Sequence, residues 1–315
     1  SGINAVKMRK KKINIGVIGL GYLGPRHYEK FHKNSLCDVK WAVDKDIKRH
    51  QIIHEKFVQK GTNYKKILDD IDAVSVITPT KSHYQIAKFF LLNKKHVLLE
   101  KPMTENTMQA NELIKIAKNN KVILQVGHVE RFNPVMKKLN TDIKSVIFIE
   151  GHRLSEFNPR STDINVIFDL MIHDIDIIAN IVNSKIKKIT AFGKKIITNS
   201  IDIANARLEF VNGCIANLTA SRISQKNERK IRIFEKNKYW SVDFMNRKIN
   251  RYSKYIKNKK IVFNNEKYSF KRTDSLSLQI NNFLNSCKKI EQPLVSGKDG
   301  KEALIIATKI SKLLK

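Results

Sequence analysis

From Ile13 to about Gly127 the chain alternates short, near-continuous apolar runs with stretches whose apolar residues recur at helical spacing. The runs predict strands at Ile13–Gly19, Val39–Asp44, Ala73–Thr78, His96–Glu100 and Val122–Gly127, with helices near Pro25–Lys33, Asp46–Phe57, Ser82–Asn93 and Thr104–Asn119. A strand that is apolar on both faces needs helices above and below it, which is the signature of a parallel sheet with crossover helices. After Gly127 the texture changes. One long apolar helix, Asn165–Val182, is followed by β-patterned segments at 187–197, 202–211, 214–223, 229–244, 248–254 and 259–264. Val211-Asn212-Gly213 marks a hairpin turn between two of them. Helical stretches near Ser275–Lys289 and Lys298–Leu314 close the chain.

Composition narrows the picture. A length of 315 residues suits two domains of roughly 150 residues each, and 42% hydrophobic content excludes wholesale disorder. Lys and Arg number 60 against 29 Asp and Glu, a net of +31 that raises nucleic acid or an anionic membrane as partners. Of the 60, however, 13 are Arg and 47 are Lys, and the lysines are scattered along the whole chain. Forked phosphate and guanine contacts favour Arg, so the scattered lysines read more readily as a compositional habit, and a nucleic-acid partner stays open as the less favoured alternative. Cys37, Cys214 and Cys287 form no CxxC pair, which argues against a disulfide framework or zinc cluster and for a reducing, cytoplasmic setting. No apolar run approaches the roughly 18 residues of a membrane span. Lys7–Lys12 followed by apolar residues imitates a secretory signal, but Gly16, Gly19, Gly21 and Gly24 and the lack of a cleavage site read instead as a strand and a turn. Residues 1–7 are taken to precede a native start at Met8.

The strongest motif is Gly19-Leu20-Gly21-Tyr22-Leu23-Gly24, placed between a strand and a helix. Its first glycine permits the tight turn, its second lets a pyrophosphate approach the backbone, and its third allows close helix–strand packing. The helix then offers free N–H groups to the phosphates. Asp44 ends the second strand, where a carboxylate accepts ribose hydroxyls and repels a 2′-phosphate, favouring NAD over NADP. The expected architecture is therefore α/β: an N-terminal Rossmann parallel sheet at 8–127 and a C-terminal α+β domain at 128–315, built on a mostly antiparallel open sheet. Thr78-Pro79-Thr80, His83 and Glu100-Lys101-Pro102 follow strand ends and border the cofactor. Lys101 carries an amine whose protonation burial readily shifts. His128 and Arg131 leave the last strand at the same rim, where an arginine can hold a phosphate with two prongs. In the Asn165–Val182 helix, Asp169, His173 and Asp176 form one polar stripe on an otherwise apolar surface. That stripe is either an Asp–His pair satisfied within the core or a general acid–base site in which a carboxylate orients the histidine. No metal site is expected, since His50 and His54 lack a third ligand.

Taken together, Gly19–Gly24 with His27, Thr78-Pro79-Thr80 with His83, Glu100-Lys101-Pro102 and Asp169-xxx-His173 resemble the Gfo/Idh/MocA oxidoreductases over essentially the whole chain. Three further segments are similar to the nucleotide-sugar 3-dehydrogenases of that family: Gly21–Pro25, Gly127–Pro134, and Arg160-Ser161-Thr162-Asp163 with Leu170–Asp176. Leu23 stands where many of those relatives carry an aromatic residue. The resemblance implies oxidation of a ring hydroxyl, the 3-hydroxyl, of a UDP-sugar such as UDP-N-acetylglucosamine, with NAD as acceptor and a PLP-dependent sugar aminotransferase as the next enzyme. It implies Lys101 and His173 as the acid–base pair with Asp169 beside them, and Glu100 as the residue that positions Lys101. Tyr22 and Leu23 join the cofactor contacts, His128, Arg131 and Arg160 bind substrate, and Arg153 is a further substrate candidate. A homodimer or homotetramer is implied, with the site in a cleft between a Lys101 domain and a His173 domain. A polyol dehydrogenase of inositol type and a non-catalytic NAD-binding regulator stay open as alternatives.

Overall fold

A computed structural model of the chain describes residues 11–159 and 164–314. The residues ahead of Met8 and the substrate candidate Arg160 lie outside these. The described chain divides into two compact units. The first runs to Glu100 and takes in 112–125 and Leu276–Leu294; the second comprises Lys101–Asn111, Val126–Ser275 and the chain from Val295 onwards.

The first unit is organised on six strands: β1 (Ile13–Ile18), β2 (Cys37–Val43), β3 (Gln59–Gly61), β4 (Ala73–Val76), β5 (His96–Leu99) and β6 (Leu124–Val126). Their order in the sheet is β3-β2-β1-β4-β5-β6, and β1 pairs in parallel with both β2 and β4. Crossovers include α1 (Gly24–His32), α2 (Thr80–Leu92) and α3 (Thr107–Asn120). Every residue of β4 is buried, as a doubly covered strand requires. The helix expected at 46–57 is a shorter 3-10 turn, Ile47–Ile52, capped by the Asp46 carboxylate on the Lys48 N–H. The segment lacks an apolar stripe long enough to pay for a full helix: Ile47 is 70% exposed, and burial resumes only at Ile53 and Val58. The edge strand β3 then forms from Gln59, Lys60 and Gly61, which carry no hydrophobic signal.

The second unit holds an eight-stranded sheet of β7 (Val146–Leu154), β8 (Ile186–Lys194), β9 (Ile203–Phe210), β10 (Ile215–Ser221), β11 (Glu228–Glu235), β12 (Lys238–Asp243), β13 (Lys248–Lys257) and β14 (Lys260–Ser269). The order is β14-β13-β12-β11-β7-β10-β9-β8, antiparallel throughout except for the β7–β10 pair. The 229–244 segment is a hairpin, β11–β12, with Asn237 at φ 63° in its turn. On one face lie α4 (Pro134–Asp142), started by the Asn133 side chain accepting from the Val135 N–H, and α5 (Ile172–Val182). A π-helical turn at Ile167–Met171 precedes α5, so 165–182 is not one regular α-helix. The helix α6 (Ser275–Cys287), expected in the C-terminal domain, instead gives Ile280, Phe283 and Leu284 to the same core as Ile15 and Val17 of β1. The closing helix α7 (Gly297–Leu313) begins in a capping box between Ser296 and Asp299 and packs its Ile306 and Ile310 in the second core. Among the described residues no helix is long and apolar enough to cross a membrane.

Asp202 anchors the β8–β9 connection. Fully buried, it accepts N–H groups from Ile196 and Ile197 at 2.8 Å and from Thr198 at 2.9 Å, the Thr198 hydroxyl at 2.6 Å, and Nε of buried Arg222 at 2.9 Å. Burial alone would raise its pKa; these donors overcome that and hold it well below the carboxylate range. Asp202→Ala leaves Arg222 buried without its carboxylate and is expected to cost about 3–5 kcal/mol. Urea titration should show a lower midpoint at unchanged slope.

Candidate active site

The glycine loop of the first unit has the geometry its sequence demands. Gly19 sits at φ 98°, and a Cβ there would lie 2.5 Å from the Ile77 carbonyl oxygen. A Cβ at Gly24 would lie 2.1 Å from the Gly19 carbonyl oxygen, so its role is to let α1 abut the strand end. Gly21 differs: a Cβ there would meet only Nη1 of Arg49, at 3.5 Å. Open space over the Gly21 backbone is what a diphosphate requires, and the loop fits NAD on that ground. Asp44 follows β2 and is buried. Burial pushes its carboxyl up, but the Leu20 and Asp46 N–H groups at 2.7 and 2.9 Å, with Arg49 at 3.4 Å, bring it below the ordinary value. It is therefore an ionised acceptor beside the loop. Tyr22 is exposed and stacked against the Arg26 guanidinium, and Leu23 precedes α1.

Beyond β4, Thr78, Pro79 and Thr80 lead into α2, and His83 is turned inward, its Nε2 2.7 Å from the Thr78 carbonyl oxygen. His83 shapes this loop from within, because its ring is buried. His27 bridges Ser75 Oγ at 3.0 Å and Glu100 Oε1 at 3.1 Å, holding Glu100 at the end of β5.

Lys101, Asp169 and His173 all lie in the second unit. Lys101 directly follows strand β5 of the first unit's sheet, while residues 101–111 cluster with 126–275. The side chain of Lys101 is only 15% exposed; its Nζ donates to the carbonyls of Asp169 at 2.9 Å and Phe168 at 3.4 Å, and lies 4.0 Å from Asp169 Oδ1. Both carbonyls belong to the π-helical turn, a feature frequent at functional sites. The turn also corrects the expected Asp169–His173 pair. Asp169 faces Lys101, and the Nδ1 of His173 has no hydrogen-bond partner. The extra residue per turn breaks the i, i+4 alignment that a regular helix would give. Burial drives the pKa of His173 well below its ordinary 6.5, reinforced by the charges of Lys101, Arg153, His128 and Arg229. The imidazole is thus neutral.

Two arginines proposed for substrate are committed inside the fold. Arg131 is buried, 3.4 Å from Asp176 Oδ1 and 3.9 Å from Asp299 Oδ1. Arg153 is buried, donating Nε and Nη2 to Asp174 Oδ1 at 2.9 and 2.7 Å, with Glu130 Oε1 at 3.7 Å. A guanidinium out of water needs carboxylates, and these two have taken theirs from the protein. Asp176 is accordingly no cleft-lining acid; burial raises its carboxyl against the pull of His128 and Arg131. His128 is buried as well. Glu130, within the same Gly127–Pro134 segment, went unnoticed in the sequence, as did Arg229, which meets it at 3.0 Å. An acid flanked by His128 and Arg131 was the available signal for the first; nothing in strand β11 marks the second. Among the described residues no His, Cys, Asp and Glu side chains gather as metal ligands.

Residues 13–128 match the family model "Oxidoreductase family, NAD-binding Rossmann fold", and residues 148–237 match the GFO/IDH/MocA C-terminal domain. Over 299 residues the chain is 31% identical to the UDP-N-acetylglucosamine 3-dehydrogenase of Acidithiobacillus ferrooxidans, covering 94% of this chain and 95% of that one. The chain belongs to the Gfo/Idh/MocA oxidoreductase family. A solved structure of that A. ferrooxidans enzyme superposes with a TM-score of 0.89 at 30% identity, covering 96% and 98% of the two chains. The myo-inositol 2-dehydrogenase of Thermotoga maritima is 28% identical over 334 residues, 96% of each chain. The scyllo-inositol dehydrogenase of Lactobacillus casei, solved with NAD(H) and scyllo-inositol, has a TM-score of 0.81 at 17% identity, covers 96% of this chain and 97% of its own, and shares the fold. As a Gfo/Idh/MocA protein the chain is an NAD(P)-dependent oxidoreductase acting on CH–OH groups, and residues 13–128 are its NAD-binding Rossmann domain.

The two glycines of the loop separate folding from cofactor binding in this Gfo/Idh/MocA chain. Gly21→Ala has room and should melt within about 2 °C of the parent, yet weaken NAD by at least about tenfold by crowding the diphosphate. Gly19→Ala, forced against the Ile77 carbonyl at positive φ, should lower the melting temperature as well. Fluorescence titration with NADH alongside thermal melts checks both.

Proposed function

We propose that this chain oxidises a ring hydroxyl, the 3-hydroxyl, of a UDP-sugar such as UDP-N-acetylglucosamine, using NAD. The observation that carries the reading is the 31% identity to a UDP-N-acetylglucosamine 3-dehydrogenase along 94% of the chain. Bound NAD would supply the hydride acceptor, held by Gly19, Gly21, Gly24 and Asp44 with the Thr78–Thr80 turn and Glu100 nearby. We assign His173 the role of base: its imidazole is neutral, so it can take the proton of the substrate hydroxyl. Lys101, fixed on the two carbonyls, would donate a hydrogen bond to the same substrate oxygen as negative charge develops on it. Asp169 holds the ammonium in place. The keto sugar would pass to a PLP-dependent aminotransferase, and the enzyme would work in the cytoplasm as a homodimer or homotetramer.

A second reading, a polyol substrate of inositol type, is favoured by the burial of Arg131 in ion pairs, which removes one expected phosphate ligand. A panel of UDP-sugars and free polyols with NAD, following NADH, separates the two when glutamate and a matching aminotransferase draw off the ketone. Turnover of polyols with silence on every UDP-sugar overturns the first reading. On the active substrate, Lys101→Met and His173→Asn should each lower kcat by about 10²–10⁴-fold while the Kd for NAD moves less than about twofold.

The pH profile follows from His173. Because its folded pKa is depressed, the base is free throughout the neutral range, and the acid limb of kcat/KM should lie below pH 6.5. Below 6.5 the unfolded chain binds a proton that the folded site refuses, so stability also falls as pH drops through that window. An acid limb at or above 6.5 that disappears in His173→Asn contradicts the depressed pKa.

A further inference from the structure

The second unit contains a cavity of ≈340 Å³ that none of the residues assigned to catalysis lines. It lies among the 3-10 turn at Val129–Phe132, the start of α4, strand β11, the β12–β13 turn and the segment after β14. Three of the chain's arginines, Arg229, Arg247 and Arg272, line it, and none of its far more numerous lysines does. Selection of guanidinium in a lysine-rich chain marks a need for the fork that grips phosphate oxygens.

These groups are unequally committed. Arg229 Nη1 is paired with Glu130 Oε1 at 3.0 Å. Arg247 spends Nη1 on the Met245 carbonyl at 2.9 Å, while its Nε is buried with no partner. Arg272 is exposed and makes no ion pair among the described residues. Glu130 is only 8% exposed; its Oε1 serves Arg229 and Arg153, but its Oε2 is buried without a donor. An unpaired carboxylate oxygen asks for a hydroxyl, and underused guanidiniums ask for an anion. Phe244 and Met245 add an apolar wall. The volume lies at the lower end of the range for small-molecule sites, roughly 300–1,000 Å³. Asn133, which caps α4, donates to the Phe244 carbonyl at 3.0 Å and so ties the β12–β13 turn to the cavity's opposite wall.

We propose that this cavity seats the sugar-diphosphate part of a nucleoside diphosphate sugar, with Arg247 and Arg272 on the diphosphate and Glu130 Oε2 accepting a sugar hydroxyl. The assignment rests on the UDP-sugar reading and gives it a phosphate-binding surface that buried Arg131 does not supply. It is tested by calorimetric titration of UDP into the full-length protein at saturating NAD, so that the cofactor's own diphosphate site is filled. The parent should bind UDP, and inorganic pyrophosphate should compete. Arg247→Ala/Arg272→Ala should raise the Kd for UDP and the KM for the UDP-sugar at least about tenfold, leaving the KM for NAD within about twofold. Arg272→Glu, at an exposed position, should do the same without loss of melting temperature. Turnover of a UDP-sugar with UDP affinity unchanged in both variants overturns the cavity and leaves the substrate reading standing. UDP binding that the variants abolish, without turnover of any UDP-sugar, upholds the cavity and overturns the substrate reading. A parent that binds no UDP overturns the cavity outright.

Discussion

Arg153 is the charge around which the second unit is arranged. It lies in β7 at 3% exposure, and a guanidinium at that depth is tolerable only with carboxylates in hydrogen-bonding range. Asp174 supplies one from α5 and Glu130 another from the 3-10 turn, while Glu130 in turn engages Arg229 of β11. Four elements remote in sequence are thereby tied together by one buried ion cluster. Packing serves the same end: Gly151, also on β7, leaves just the space that Leu218 occupies, and a Cβ there would be 2.8 Å from the Leu218 Cδ2. Because Asp174 adjoins His173 in the chain, fixing Asp174 fixes the histidine.

The cluster sets the electrostatics of the site as well as its geometry. His173 lies within the influence of Lys101, Arg153, His128 and Arg229, all acting to keep it unprotonated, on top of the cost of burying an imidazolium. Asp169 would have countered this had it faced the ring; its engagement with Lys101 leaves the field on His173 one-sided. The neutral state of this imidazole is therefore a consequence of how the fold disposes of its buried charge. Burial raises the carboxyl of Asp174 even with Arg153 at 2.7 Å, so the cluster is costly to keep.

The Rossmann unit was legible because its signals are local. A fully covered strand must be continuously apolar, and the tight turn after β1 must have glycines at Gly19 and Gly24, where a Cβ would strike the backbone. The second unit was less legible because its decisive facts are pairings between distant residues. Nothing near Arg131 in the sequence reveals that it meets Asp176 at 3.4 Å, and a helical stripe of Asp169, His173 and Asp176 looks alike whether its acids face solvent or arginine. Strand β7 escaped notice because Glu150, His152 and Arg153 interrupt its apolar residues. Yet β7 is central to the sheet and carries the arginine on which the site depends. The α6 helix was assigned to the wrong body for a related reason: an amphipathic face shows that a partner exists without showing which one.

The surplus of lysine and the placement of arginine follow from one physical difference. The guanidinium is weakly hydrated and can be taken from water against a planar carboxylate, whereas the ammonium is strongly hydrated and resists it. Accordingly Arg131, Arg153 and Arg222 are buried and paired, and among the described residues no lysine is buried to that degree. The net charge of +31 is mainly a property of a lysine-coated exterior, and the buried ion pairs are organised by a minority of arginines within. Lys101 sits between these regimes. It is withdrawn from most of the solvent, but its ammonium is rehydrated by the carbonyls of Phe168 and Asp169, which a π-helical turn presents to it. The irregular turn that defeated the sequence pattern thus carries both carbonyls on which this partly buried lysine is held.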